Sequence, residues 1–284
     1  MPSPQLIPVR LVQAVSAMAV SVNVLFPLQA MGADRNTEEA IPPASQFDQS
    51  RFGGVRQKLH DWNVVVGAGA LIAPKFEGSD EFKVWPIPFV SATFGDRVAV
   101  DPRGVTLNVY ETHGLSLGAR VGYDLGRQDD DSDHLKGLGD IDAGGVVGAT
   151  IAYKLSAFEF YTSVDKIIGG SDGLQVEVGA NASHTYNQFI FSSGVSATWA
   201  DKNYMSTYFG VTPRQSVASG LAAYEAGAGF KRVDFQASVT YMATDHWMVR
   251  AQGGVGYLLG DAADSPIVQE KLQPFGMLTV GYKF

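Results

Sequence analysis

From Trp62 to Phe284 the chain alternates apolar and polar residues with a period of two, in segments about 11 to 13 residues long. In 246–258, Trp247, Val249, Ala251, Gly253, Val255 and Tyr257 fall on one face, and His246, Met248, Arg250, Gln252, Gly254 and Gly256 on the other. Segments 115–125, 174–186, 188–199 and 233–241 read the same way. Successive side chains of a strand point to opposite faces, so this pattern states which face seeks apolar surroundings. A soluble β-sandwich turns that face to its core; a membrane barrel turns it to lipid. Segment length separates the two, because globular strands usually have ~5–6 residues and a tilted membrane strand needs ~9–11. Aromatic spacing separates them again. Phe189 and Trp199 share a face ten residues apart, as do Trp247 and Tyr257. Ten residues span ~33 Å along a strand. At ~40° tilt that is ~25 Å of height, which matches an apolar band with an aromatic girdle at each edge. The chain ends with Gly276, Leu278, Val280, Tyr282 and Phe284 on one face. Phe189, Trp199, Trp247, Tyr257, Tyr282 and Phe284 are therefore assigned to the girdles. The predicted fold is all-β, a transmembrane antiparallel up-and-down β-barrel of about 12 strands, with 10–14 possible.

Composition narrows the function classes. Lys and Arg total 21 against 29 Asp and Glu, a net charge of −8, which argues against a nucleic-acid partner. The chain has no Cys, which removes disulfides and thiolate chemistry. Residues 1–33 carry a single charge, Arg10, then an apolar stretch over 11–28 and small residues at Ala30, Gly32 and Ala33. That order predicts a cleaved signal peptide, too short and too interrupted for a membrane anchor. Residues 34–60, with Pro42-Pro43 and mixed charge, read as a flexible periplasmic segment, and 61–284 as the barrel.

Strands are expected near 61–73, 82–94, 97–101, 104–110, 114–125, 143–154, 156–168, 173–186, 188–200, 203–211, 222–231, 233–244, 246–258 and 273–284. The links 74–81, 126–142 and 259–272 then fall on one side and the shortest links on the other, as these barrels require. The link 212–221 disagrees, being long yet on the short-link side. Pro86 and Pro88 aim their missing donors the same way, which predicts a local loss of pairing in the second strand.

The residues offer little for catalysis. Asp129, Asp130, Asp131, Asp133, Asp140 and Asp142 crowd one loop, but the spacing departs from a Ca²⁺ loop and reads as a solvated acidic surface. The five histidines, His60, His113, His134, His184 and His246, form no visible triad; Ser183 and His184 are adjacent and so face opposite ways. No enzyme activity, cofactor or metal is expected. Parity assigns Arg120, Asp124, Lys154, Glu159, Asp165, Glu177, Asp234 and Arg250 to the lumen, either as a charged pore lining or as paired filling.

Four segments resemble the MipA/OmpV family of Gram-negative outer-membrane proteins. They are Pro74-Lys75-Phe76-Glu77-Gly78-Ser79 with Pro86-Ile87-Pro88; Tyr208-Phe209-Gly210-Val211-Thr212 running into Gln215-Ser216, Ser219-Gly220-Leu221 and Tyr224; Leu259-Gly260-Asp261-Ala262-Ala263-Asp264-Ser265-Pro266-Ile267; and Tyr282-Lys283-Phe284. The resemblance implies an outer-membrane barrel that acts as a non-catalytic scaffold for a lytic transglycosylase and a peptidoglycan synthase. The alternative is a porin-like channel for small solutes. Further expected partners are outer-membrane lipid and lipopolysaccharide, and the barrel-insertion machinery through the C-terminal strand.

Overall fold

The computed structural model describes residues 62–95 and 97–284. The expected signal peptide and the expected 34–60 segment, with His60, lie outside them. Twelve antiparallel strands close into one barrel in sequence order, the last pairing with the first. They are β1 (Trp62–Pro74), β2 (Phe82–Phe94), β3 (Val98–Asp101), β4 (Gly104–Thr112), β5 (Leu115–Asp124), β6 (Gly144–Leu155), β7 (Phe158–Ile168), β8 (Leu174–Tyr186), β9 (Phe189–Ala200), β10 (Gly229–Met242), β11 (Trp247–Leu258) and β12 (Leu272–Lys283).

Burial is inverted relative to a soluble protein. On β10, Phe235 is 50 % exposed while Ser238 and Thr240 are 7 % and 5 % exposed. On β11, Trp247 is 49 % exposed while Arg250 and Gln252 are each 5 % exposed. The same alternation recurs on β5, β6 and β7, where Val121, Val147, Ile151 and Phe160 stand outward. A contiguous apolar surface of this extent is foreign to a water-soluble monomer. It is the lipid face of a membrane barrel.

The connections segregate. Links within β2–β3, β4–β5, β6–β7, β8–β9 and β10–β11 are short and share one end with both termini of the barrel. His113, Ser156 and Asn187 have positive φ there, as two-residue hairpin turns demand. We call this end the turn side. The long connections 75–81, 125–143, 201–228 and 259–271 all lie at the other end, the loop side.

Of the fourteen expected strands, one is not a strand and two others are parts of a single strand. Residues 203–211 fall largely in helix α1 (Lys202–Phe209), and 222–228 are irregular. The anomalous link 212–221 therefore disappears: it is helix α2 (Pro213–Ser219), inside one long loop-side connection. Local chemistry accounts for both helices. The Asp201 side chain accepts from the Tyr204 N–H and caps α1. Thr212 and Gln215 form a reciprocal capping box around Pro213, and Gly220 ends α2 at φ 79°. The expected strands 222–231 and 233–244 are one strand, β10, with a register shift between Phe230 and Arg232.

The proline expectation has a counterpart in the register. β2 pairs with β1 along all 13 residues but with β3 only from Ala92 to Phe94. Among the described residues, no strand lies on that edge of residues 82–91, which include Pro86 and Pro88.

Candidate functional site

Four loop-side connections converge at one end of the barrel. The connections fold over it with helices α1, α2 and α3 (Gly260–Ala263), and bury two apolar clusters. In one, Tyr204, Met205 and Phe209 of α1 pack with Ala262 of α3 against Val146, Ile167 and Leu258 of the wall. In the other, Phe76, Leu135, Leu138, Val211 and Ile267 come together from four different connections. Each connection lacks a core of its own, so the wall and the neighbouring loops supply one.

A buried ion cluster ties this plug to the wall. The register shift in β10 lets two consecutive residues, Lys231 and Arg232, both turn inward, where they are 0 % and 2 % exposed. Both meet Glu77 from the β1–β2 connection. Lys231 Nζ donates to the two carboxylate oxygens at 3.1 and 3.0 Å, and Arg232 Nη1 to Oε1 at 3.0 Å. Lys231 also donates to the Tyr204 hydroxyl at 3.1 Å and lies 4.6 Å from the centre of that ring. Arg232 spends its remaining donors on Asp234. A second chain of bonds runs from Tyr208, whose hydroxyl donates to Asp124 at 2.6 Å and whose carbonyl accepts from Arg127 at 2.9 Å. Gln273 of β12 accepts from the Gly78 N–H at 3.0 Å.

Burial pushes the Glu77 carboxyl up, but Lys231 and Arg232 outweigh it and hold it below 4.5, its ordinary value. A depressed carboxyl contributes stability at pH above its unfolded value, and that stability is lost as pH falls through the folded value. The plug is therefore expected to stay closed from neutrality down through pH 4.5 and to loosen only below it. Pulsed hydrogen exchange across 202–209 checks this: protection at pH 5 equal to that at pH 7, and accelerated exchange only in stronger acid.

The other residues singled out in the sequence are dispersed. Arg120 pairs with Asp165 at 2.7 Å. Glu177 accepts from the Tyr161 hydroxyl. Lys154 and Glu159 are opposite each other on β6 and β7. Arg250 is in no ion pair among the described residues. Trp247 and Phe284 both pack edge-on against Tyr282, at 5.1 and 4.9 Å. Phe189 lies 5.0 Å from Tyr241 on the outer face. Tyr257 is exposed and Trp199 half-buried. In the acidic loop, Asp140 and Asp131 accept from backbone N–H groups and Asp133 pairs with Lys136. His134 stacks on Phe76. His184 is opposite the outward Phe191, whereas its neighbour Ser183 contacts Ser192.

Sequence reasoning missed Glu77, Lys231, Arg232 and Tyr204 as a unit. One signal was available. Phe230 and Val233 are both apolar and three apart, so the alternation slips one residue between them. That slip is the sequence mark of a bulge at Lys231-Arg232.

Comparison with known proteins adds the following. The family model of "MltA-interacting protein MipA" matches residues 66–284. No curated protein sequence matches the chain. Among solved structures, OprD of Pseudomonas aeruginosa is 11 % identical, with 78 % of this chain and 59 % of that one covered and a TM-score of 0.35. OmpT of Vibrio cholerae is 9 % identical over 79 % of this chain and 98 % of that one, with a TM-score of 0.36. The NanC porin is 7 % identical over 78 % and 100 %, with a TM-score of 0.39.

Proposed function

Because this chain belongs to the MipA family, we propose that it is an outer-membrane platform that holds a lytic transglycosylase, and with it a peptidoglycan synthase, at the inner surface of the outer membrane. The family match carries this reading. The plug supports it against a solute channel: a buried ion cluster and two apolar clusters join the loop-side connections to one another and to the wall. Such an arrangement suits an anchor better than a conduit. Barrels of this kind put long loops outside and short turns in the periplasm. The turn side therefore meets the peptidoglycan enzymes. A standard interface takes ~800 Å² per partner, more than the two-residue turns offer individually, so the partner spans several of them.

Affinity capture tests the proposal. The barrel in lipid nanodiscs is immobilised beside an unrelated outer-membrane barrel and exposed to periplasmic and membrane extract. Selective recovery of a lytic transglycosylase is expected, and it should fall in a variant carrying Gln188→Gly and Asp245→Ser on the exposed turns. Equal recovery on both barrels would overturn the proposal.

A further inference from the structure

The inner wall carries two neighbouring features that the platform reading does not use. The first is an apolar patch next to the unpaired edge of β2. Trp85 and Ile87 of β2 are buried with Leu71 of β1 and Phe275 of β12, and Phe89 and Met277 pack against them. Beside this patch the wall is thinned, because among the described residues β2 is paired with β1 but has no strand on its β3-side edge from Phe82 to Ser91. The β3–β4 hairpin stops at Asp101 and Gly104, so the open edge lies in the loop-side half of the wall. Its rim is continuous with the lipid face, where Val84 and Val90 of β2 and Val121 and Tyr123 of β5 are exposed. Whatever enters sideways there comes from the membrane.

The second feature is Arg250. It is 5 % exposed, its Nε has no hydrogen-bond partner, and no ion pair among the described residues includes it. One turn of the pleat away on β11, the Gln252 Oε1 is buried and likewise without a partner. Removing a guanidinium from water without a countercharge is costly, so the site calls for an anion. The register joins the two features. Arg250 is opposite Thr279, Thr279 opposite Gly69, and Gly69 opposite Ile87. Four strands lie in that row, about 14 Å of wall at ~4.8 Å per strand. Between the ends stand a threonine and a glycine, with the Thr279 methyl over Gly69, so no long side chain of that row separates the apolar patch from the cation.

We propose that the lumen binds a single-chain anionic amphiphile. Its chain enters through the gap beside Pro86 and Pro88 and lies on Trp85 and Ile87, and its head group pairs with Arg250. This inference rests on the membrane-barrel fold and not on the platform reading. A carboxylate or a phosphate fulfils the same chemistry, so a fatty acid and a lysophospholipid are the two sources.

The test uses the full-length protein in nanodiscs with Trp62, Trp199 and Trp247 replaced by Phe, leaving Trp85 as the only indole. Nitroxide-labelled stearate and nitroxide-labelled lysophosphatidylglycerol are titrated in separate arms. Saturable quenching of Trp85 by either, reversed by its unlabelled counterpart, is expected, and the tighter arm identifies the source. Arg250→Gln should weaken binding at least about tenfold, since hydrogen bonds to a charged group are at stake. Arg250→Lys should restore much of it, which a merely structural arginine would not allow. A protein keeping only Trp247 should show quenching that follows lipid partitioning and never saturates, and this arm also checks membrane insertion. Non-saturable quenching of Trp85, or saturable binding untouched in a folded Arg250→Gln variant, would overturn the proposal.

Discussion

Glu77→Ala is expected to release the plug while leaving the barrel wall intact. The substitution removes the only carboxylate among the described residues that is ion-paired with both Lys231 and Arg232, and strands an ammonium that is 0 % exposed. Breaking a buried pair from one side costs about 3–5 kcal/mol, because the remaining charge stays desolvated. That corresponds to roughly a hundred- to a few thousand-fold faster exchange for amides that open with the plug. The effect should concentrate in 202–226, since Tyr204 is tied to the same cluster through Lys231. The strands, held by their own ladders, should keep their protection. Glu81→Ala is the control. Its carboxylate also bonds a lysine, Lys75 at 2.6 Å, and accepts from the Ser132 hydroxyl at 3.2 Å, but it touches neither Lys231 nor Arg232 and its removal should leave exchange across 202–226 unchanged. Hydrogen exchange with mass spectrometry reads all three proteins. Equal exchange in wild type and Glu77→Ala would mean that the cluster does not hold the plug.

Deleting Tyr282–Phe284 is expected to lower the amount of assembled barrel at least about tenfold, since both closure and interfacial anchoring are lost. β12 closes the barrel on β1, with Tyr282 opposite Val66 and the Phe284 N–H donating to Val64 at 2.9 Å. Tyr282 also stands between Trp247 and Phe284 in two edge-on aromatic contacts, each worth ~0.5–1.5 kcal/mol beyond burial. The same segment is where the insertion machinery is expected to grip the chain. Heat-modifiable migration of the membrane fraction measures the outcome. Tyr282→Phe retains the ring and should assemble nearly as well as wild type.

The wall was legible because lipid imposes a rule that a sequence can display. Every residue of a spanning strand faces either lipid or lumen, so Phe235, Val239 and Tyr241 had to alternate with Gln236, Ser238 and Thr240. Pro86 and Pro88 were informative for a related reason. A missing donor is tolerated where a strand has an open edge, and β2, paired with β1 at both prolines, has no strand on its other edge there among the described residues. The plug was not legible in that way. Residues 203–211 alternate well enough to pass for a strand, with Tyr204, Ser206, Tyr208 and Gly210 on one face. What decides them is the cap at Asp201 and the burial of Tyr204, Met205 and Phe209 against wall residues distant in sequence. The ion cluster was hidden more deeply. Glu77 is over 150 residues from Lys231, and no local pattern brings them together. Arg250 could be placed in the lumen by parity, but its unpartnered Nε and lack of an ion pair among the described residues are properties of the folded interior alone.

The most direct test of the account is an equilibrium titration of the nanodisc-embedded barrel with a purified lytic transglycosylase, paired with planar-bilayer recording of the same preparation. Saturable binding that is reduced by the turn-side substitutions, together with no steady conductance, is the result the account predicts. Absence of binding together with steady, solute-dependent conductance through the wild-type barrel would contradict it and make this protein a channel.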